Sequence, residues 1–574
     1  VTEFNGNATR IFGPPGTGKT TKLAELVRNL IMTYGPDCLS VASFSTTAAE
    51  EIAGRFTNDG IRPPKHAVRT LHSHAFRAIG HGAVALDAKT IVSWNEDHPE
   101  WTITPDNRRA SGDSGANGNP RNAVTGDELI SSLDKLRATL TPQDEWPENV
   151  RQFARRWEQW KTHVGAVDYT DMVEDALEAA RDGEPAPGNP RFFIADEAQD
   201  QTPLESALVT AWGQQTDHLF FGLDDDQAIN AWRGGNPAPI LDLTAGPNGE
   251  VRDEILGQSY RVPEAVRRVA QRWIIRLGSH RREKEYRPRV DAAGKMVMGA
   301  AYKVPETLNS AALIDRIESD LDSDPNETVM VVASCNYMLE PLLTGLRQRG
   351  VPFHNPYRPN EARWNPLGGV TAGVATAERV FRYLIMDESL MDHGGRMWTG
   401  EDIQYWSELV KLGPAGMRPG AKKLIKLLDP HTEVPEDEVR RLFVDGDAFD
   451  WATAPDPDWL AQCLLAAKQK AALYPIEVAR AHGPAAIQQT PRLTVGTIHS
   501  TKGGQSGTVY VAPDISGAAA RAAAESAAGR DELIRLFYVA MTRSYRELRL
   551  LQTANPQYVE RGDLLPPDLE VPPE

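Results

Sequence analysis

Apolar and polar positions follow one of two rhythms along this chain. Short apolar runs of strand length, Thr9-Arg10-Ile11-Phe12, Leu39–Phe44, Phe192–Ala195 and Leu219–Gly222, recur with stretches of helical spacing such as Lys22–Val27 and Thr47–Arg55. Strand–helix–strand order predicts a parallel sheet. The rhythm resumes near Leu256, with a strand at Val329–Ser334, a helix at Leu342–Arg349, and strands at Leu493–Ile498 and Thr508–Val511. Residues about 84–165 and 361–489 lose the alternation and are rich in helix formers. The pattern therefore predicts an α/β chain with two blocks. The first comprises 1–83 and 166–252, interrupted by a helical insertion at 84–165. The second comprises 253–360 and 490–574, interrupted by a helical insertion at 361–489.

Several segments are ambiguous by pattern alone. Ser111–Asn119 has the polar, Gly-rich composition of a loop. Arg155-Arg156-Trp157 with Trp160 and Lys161 invites a reading as a nucleic-acid patch, but Phe153, Trp157 and Trp160 share one helical face, which favours packing. Ala518–Ala528 reads as a surface helix or loop, and Pro566–Glu574 as a frayed acidic tail.

Composition narrows the class without deciding it. At 574 residues the chain is long enough for three or four domains, and 41% hydrophobic with 25% charged residues predicts a packed soluble protein. No apolar run is long enough to span a bilayer, and Val1–Asn7 lacks the basic and apolar regions of a signal peptide, so a cytoplasmic protein without membrane partners is expected. Cys38, Cys335 and Cys463 are far apart, which disfavours a disulfide framework, a zinc ribbon or an iron–sulfur cluster. A net charge of −17 argues against a nucleic-acid partner only weakly, because a basic cleft is compatible with acidic outer faces.

The chemistry lies in the motifs. Gly13-Pro14-Pro15-Gly16-Thr17-Gly18-Lys19-Thr20, followed by Thr21, matches G-x-x-x-x-G-K-[ST] between a strand and a helix. Its glycines let successive backbone N–H groups curl around an anion, and the helix points its positive end at the same phosphates. Lys19 supplies a point charge for the β/γ-phosphates and Thr20 a hydroxyl for Mg²⁺. The strand Phe192–Ala195 ends in Asp196 and Glu197. The first is suited to hold the metal and the second to orient and deprotonate the attacking water. Together these elements predict an NTPase that uses Mg²⁺, and leave its task open.

Further segments resemble one family in order and spacing, the UvrD/Rep type of superfamily 1 DNA helicases. They are Asp196–Asp200, Gly222–Gly234, Gln258-Ser259-Tyr260-Arg261, Val495–Gly504 and Tyr538–Arg543. Upstream, Phe44–Glu50 and Thr70–Ser73 fit as well, as does Asp168–Met172. The resemblance implies two RecA-like P-loop domains and ATP as the nucleotide. It implies Gln227 as a γ-phosphate sensor, Arg261 and Arg543 on the γ-phosphate, and Tyr260 stacked on the base. Gly503 lies in the K-G segment, and Gln505 is the polar residue nearest the family's glutamate after it. Phe44 and Trp232 are implied as base-stacking residues, and Thr70, His72 and His499 as phosphate-contacting or coupling residues. The pattern puts Arg261 and Arg543 in the second block, so they reach the nucleotide only if it lies between the blocks. The implied activity is ATP-dependent 3′→5′ translocation on single-stranded DNA with unwinding at single-strand/double-strand junctions. Replication or repair proteins are the implied partners. Three alternatives stand beside it: a translocase with little unwinding of its own, an RNA-directed motor, and a nucleotide-switched regulator.

Overall fold

The structure is a computed structural model that describes residues 2–43, 67–80, 83–105, 125–359, 361–368, 374–393, 395–413 and 416–573. Phe44, the helix expected at Thr47–Arg55 and the loop Ser111–Asn119 lie outside the described residues. The chain forms two compact units, one of Val1–Gly299 with Ala518–Thr542 and the other of Ala300–Gly517 with Arg543–Glu574.

The first unit is built on a six-stranded sheet in the order Glu250–Ile255, Asn7–Phe12, His218–Leu223, Phe192–Ala195, Leu39–Ser43, Val68–Thr70. Every neighbouring pair is parallel. Strands buried on both faces need continuous apolar character, and Phe192–Ala195 and Leu39–Ser43 are buried at every position. Glu250–Ile255 lies at the sheet edge, and its charged residues Glu250, Arg252, Asp253 and Glu254 discourage further pairing there.

A helical region of this unit packs around Trp94, Phe153, Trp157 and Trp160. The helix Glu148–Val164 presents Phe153, Trp157 and Trp160 to that cluster, as their spacing predicts. Lys161, on the same helix, is equally buried. It pairs with Asp168 at 2.9 Å and Asp171 at 2.5 Å, while Arg137 reaches Asp168 at 3.1 Å and Asp171 at 2.6 Å. Asp168 caps the helix Tyr169–Arg181 and also accepts the indole N–H of Trp157. The helical region is thus tied by buried charges to a helix of the sheet layer.

The second unit has a five-stranded sheet in the order Ala300–Lys303, Ser544–Leu550, Ser506–Val511, Val329–Ala333, Leu493–Thr497, again parallel throughout. One apolar cluster runs from Val329 and Val331 of this sheet to Tyr383, Trp398, Trp406 and Trp459 of the helices that follow. Tyr474 fastens the helix Ala466–His482 to the sheet layer, its hydroxyl donating to the Val351 carbonyl at 3.0 Å. Both cores have the RecA-like α/β arrangement of a parallel sheet covered by helices.

Three expectations change. The segment 253–299, assigned by pattern to the second block, belongs to the first compact unit, as does the helix Ala527–Met541. Packing explains this, since Trp273 donates its indole N–H to the Ile534 carbonyl. The end of the chain is not frayed as far as Pro573: Val571 exchanges two backbone hydrogen bonds of 2.8 Å with Ala301, and Leu569 is buried.

Candidate active site

Gly13–Gly18 joins the strand Asn7–Phe12 to the helix Lys19–Tyr34. The loop's path requires its glycines. A Cβ on Gly13 would lie 2.5 Å from Lys19 Cβ, and Gly16 and Gly18 have φ of +72° and +79°. Thr17 closes the loop, its hydroxyl donating to the Pro14 carbonyl at 2.8 Å. The loop is also gripped from the Gln258–Arg261 segment. The buried hydroxyl of Ser259 donates to the Pro15 carbonyl at 2.8 Å, and the Tyr260 N–H donates to the Gly16 carbonyl at 2.8 Å. A Cβ on Gly16 would come within 2.3 Å of Arg261 Cβ. Arg261 therefore sits against the P-loop within one unit, not in the second block. Tyr260 leaves its ring 69% exposed beside the loop. Sequence reasoning passed over Ser259, since a serine between Gln258 and Tyr260 looks like a spacer.

The strand Phe192–Ala195 delivers Asp196 and Glu197 to the same loop. Glu197 adopts the left-handed conformation, with φ 52°, which turns the chain sharply at the strand end. Lys19 Nζ lies 2.5 Å from Glu197 Oε1 and 3.3 Å from Asp196 Oδ1. Burial disfavours the charged lysine, but the carboxylates of Asp196 and Glu197 outweigh it and hold the ammonium above its ordinary pKa. Burial pushes Asp196 upward, with Lys19 opposing.

Gln199, buried and unremarked at the sequence level, links two motifs. Its amide donates to Glu197 Oε2 at 2.5 Å, and its carbonyl accepts the Asp224 N–H at 3.0 Å. Asp224 in turn accepts the side-chain amide of Gln227 at 2.7 Å. A continuous hydrogen-bonded path therefore runs from Lys19 through Glu197, Gln199 and Asp224 to Gln227.

The residues implied for nucleic acid fall partly together. Thr70 caps the helix Leu71–Ile79, accepting the Ser73 N–H. His72 faces Glu205 Oε1 at 3.7 Å, and Arg233, beside Trp232, reaches the same oxygen at 3.2 Å. Glu205 thus joins the Thr70–Ser73 and Trp232–Arg233 segments, a role no local pattern announces. Burial lowers the His72 pKa, with Glu205 opposing and Arg233 reinforcing. Trp232 is 53% exposed on a short helical turn, open to stacking.

In the second unit Gly503, Gln505, His499 and Arg543 lie around one strand-end turn. Arg543 is buried; its backbone carbonyl accepts the Ser506 N–H at 3.0 Å, and its guanidinium donates to the Gly504 carbonyl at 3.3 Å. Gln505 is exposed, and Gly503 has φ +88°.

Residues 1–246 match the family model described as the UvrD/REP helicase N-terminal domain. YjcD of Bacillus subtilis, named as a candidate ATP-dependent DNA helicase, is 26% identical over 262 residues, which is 42% of this chain and 33% of YjcD. UvrD2 of Mycobacterium bovis, named as an ATP-dependent DNA helicase, is 23% identical over 319 residues, 50% of this chain and 40% of UvrD2. The DNA helicase II homologue named in Mycoplasma capricolum is 22% identical over 287 residues, 46% of this chain and 38% of that protein. The chain thus spans less than half the length of these relatives. The P-loop, the Asp196–Asp200 segment and five of the six strands of the first sheet lie in the matched residues, and in them the chain is similar to the UvrD/Rep type of superfamily 1 helicases.

Proposed function

We propose that this chain is an ATP-driven motor that translocates 3′→5′ along single-stranded DNA and unwinds duplex DNA at its junction with a single strand. The observation that carries the reading is the P-loop lysine held between Asp196 and Glu197, on a loop gripped by Ser259 and Tyr260. The names of the relatives support DNA as the track, and the polarity follows the family resemblance.

In this reading the backbone N–H groups of Gly16–Thr20 and the start of the helix Lys19–Tyr34 receive the phosphates. Lys19 exchanges Glu197 for phosphate oxygens. Glu197, released from Lys19 but still held by Gln199, orients the attacking water and takes its proton. Arg261, against Gly16, supplies positive charge to the developing transition state, and the family resemblance gives Arg543 the same task. Tyr260 offers its exposed ring to the base.

Thr20 and Asp196 would hold Mg²⁺. Asp196 fits, being buried with an Oδ1 that makes no hydrogen bond of normal geometry. When bound, the ion neutralises charge on the β- and γ-phosphate oxygens.

Trp232 stacks on bases, and Thr70, His72 and His499 engage phosphates. Strand displacement on substrates with opposite overhangs tests the proposal. ATP-dependent release from the 3′-tailed duplex is expected. Release from the 5′-tailed duplex alone overturns the polarity, and hydrolysis indifferent to single-stranded DNA overturns the motor.

A further inference from the structure

The turn that carries Gln227 begins with three consecutive aspartates, Asp224, Asp225 and Asp226, and all three are essentially withdrawn from solvent. Adjacent buried carboxylates repel one another, and each loses hydration, so the turn keeps this form only if cations are buried with it. Those cations come from a segment more than fifty residues further on. Lys284, itself buried, places Nζ 2.5 Å from Asp225 Oδ1, 3.1 Å from Asp226 Oδ2 and 3.3 Å from Asp224 Oδ1. The same ammonium also donates to the Arg282 carbonyl at 3.0 Å. Arg281 grips Asp226 with two bonds of 2.7 and 2.6 Å.

Lys284 thus pairs with all three carboxylates at once. Its contact with Asp224 leaves the other carboxylate oxygen, Oδ2, to accept the Gln227 amide at 2.7 Å. The Asp224 N–H is meanwhile occupied by Gln199, which also holds Glu197. Gln227 is thus held directly by the Asp224 carboxylate that Lys284 pins, while Glu197 connects to the same residue through Gln199.

We propose that Lys284 is a positioning residue for ATP hydrolysis, fixing the Asp224 carboxylate and through it the side chain of Gln227. Lys284 touches neither nucleotide nor water in this account; it acts through Asp224. The inference rests on the proposed role of Gln227 at the γ-phosphate. It gives a function to a lysine that lies within the charged stretch His280-Arg281-Arg282-Glu283-Lys284-Glu285.

A double-mutant cycle on the full chain tests it, with Q227A, K284M and Q227A/K284M. The readouts are kcat and KM for DNA-stimulated ATP hydrolysis, binding of a fluorescent ATP analogue, and thermal melting. K284M is expected to lower kcat roughly tenfold to a hundredfold, the scale of a misplaced catalytic group. KM and analogue affinity should stay within about twofold, because the P-loop is untouched. In the Q227A background K284M should lower kcat by no more than about twofold further, since both changes remove the same contribution. A purely structural role predicts instead that the two losses multiply. Losses that multiply, or a K284M chain with wild-type kcat, overturn the inference while the motor reading stands. Wild-type kcat in Q227A overturns the sensor role and the inference together. If K284M fails to fold, K284M/D225N, which removes one charge of each sign, carries the same cycle with the same expected outcomes.

Discussion

Lys19 and Glu197 form a 2.5 Å ion pair, so the P-loop cation and the proposed catalytic base neutralise each other. Phosphate must compete with Glu197 for the ammonium. Replacing Glu197 by Gln removes the charge but keeps the shape and the contact with Gln199. E197Q should bind ATP more tightly than wild type while hydrolysing it roughly 10²–10⁴-fold more slowly, the usual contribution of a general base. Equilibrium binding of a labelled ATP and single-turnover hydrolysis separate the two effects. Hydrolysis at the wild-type rate would remove Glu197 from the mechanism.

Ser259 and Tyr260 are neighbours with opposite exposure, and their substitutions should separate cleanly. S259A leaves the Pro15 carbonyl and the Val262 N–H without their shared partner in a buried setting. It should cost about 1–3 kcal/mol of stability and also raise KM for ATP, because the loop loses its grip. Y260A removes a ring that is largely in solvent, so the melting temperature should not move while KM rises several-fold. A Y260A chain with unchanged KM would place the adenine elsewhere.

The P-loop and the strand Phe192–Ala195 were legible because their chemistry is local. Glycines, a lysine and a helix start lie within eight consecutive residues, and an apolar strand ends directly in its two carboxylates. The aromatic face of Phe153, Trp157 and Trp160 was legible for the same reason, since helical periodicity is a short-range signal. What escaped were pairings across long separations. Lys161 looked like part of a basic cluster but is a buried partner of Asp168 and Asp171. Arg281 and Lys284 neutralise aspartates more than fifty residues away, pairings that no local pattern announces. Nor does any local pattern say that Gln258–Arg261 packs on the P-loop; that depends on the hydroxyl of Ser259 finding the Pro15 carbonyl.

The buried charges around Asp168 make a prediction about acid. Burial raises the pKa of a carboxyl group, but Arg137 and Lys161 outweigh it and hold Asp168 well below the usual carboxylate range. A depressed carboxylate contributes stability above its unfolded pKa, and that contribution is lost as pH falls towards the folded value. Asp171 moves the other way, raised by burial and by Asp168, so the sum over the cluster is smaller than Asp168 alone would give. D168N isolates the term. It should lower stability by about 3–5 kcal/mol near neutrality, as expected when one partner of a buried pair is lost. The deficit should narrow towards pH 3, where wild type is losing the same contribution. Thermal melts at pH 7 and pH 3 measure it, and a deficit that does not change with pH would show that Asp168 acts through packing.

Trp232 offers the clearest separation of folding from function. Its ring is about half exposed and follows Gln227 by five residues, on the same stretch of chain that Asp224 anchors. Arg233, next to it, is braced on Glu205, which is also braced against His72. The ring thus projects from a backbone fixed on both sides, as a stacking platform requires. Base–aromatic stacking is worth about 1–3 kcal/mol, so W232A should weaken single-stranded DNA binding by roughly five- to a hundredfold. Because the ring is not a core residue, the melting temperature should stay where it is, and ATP hydrolysis without DNA should be unchanged. Stimulation of hydrolysis by DNA should fall even when DNA is saturating, since the segment proposed to sense the γ-phosphate no longer has a base to push against. Fluorescence anisotropy of a labelled oligonucleotide, paired with ATPase titrations over DNA concentration, reads both effects. Unaltered affinity together with full stimulation would mean that nucleic acid follows another path across this unit.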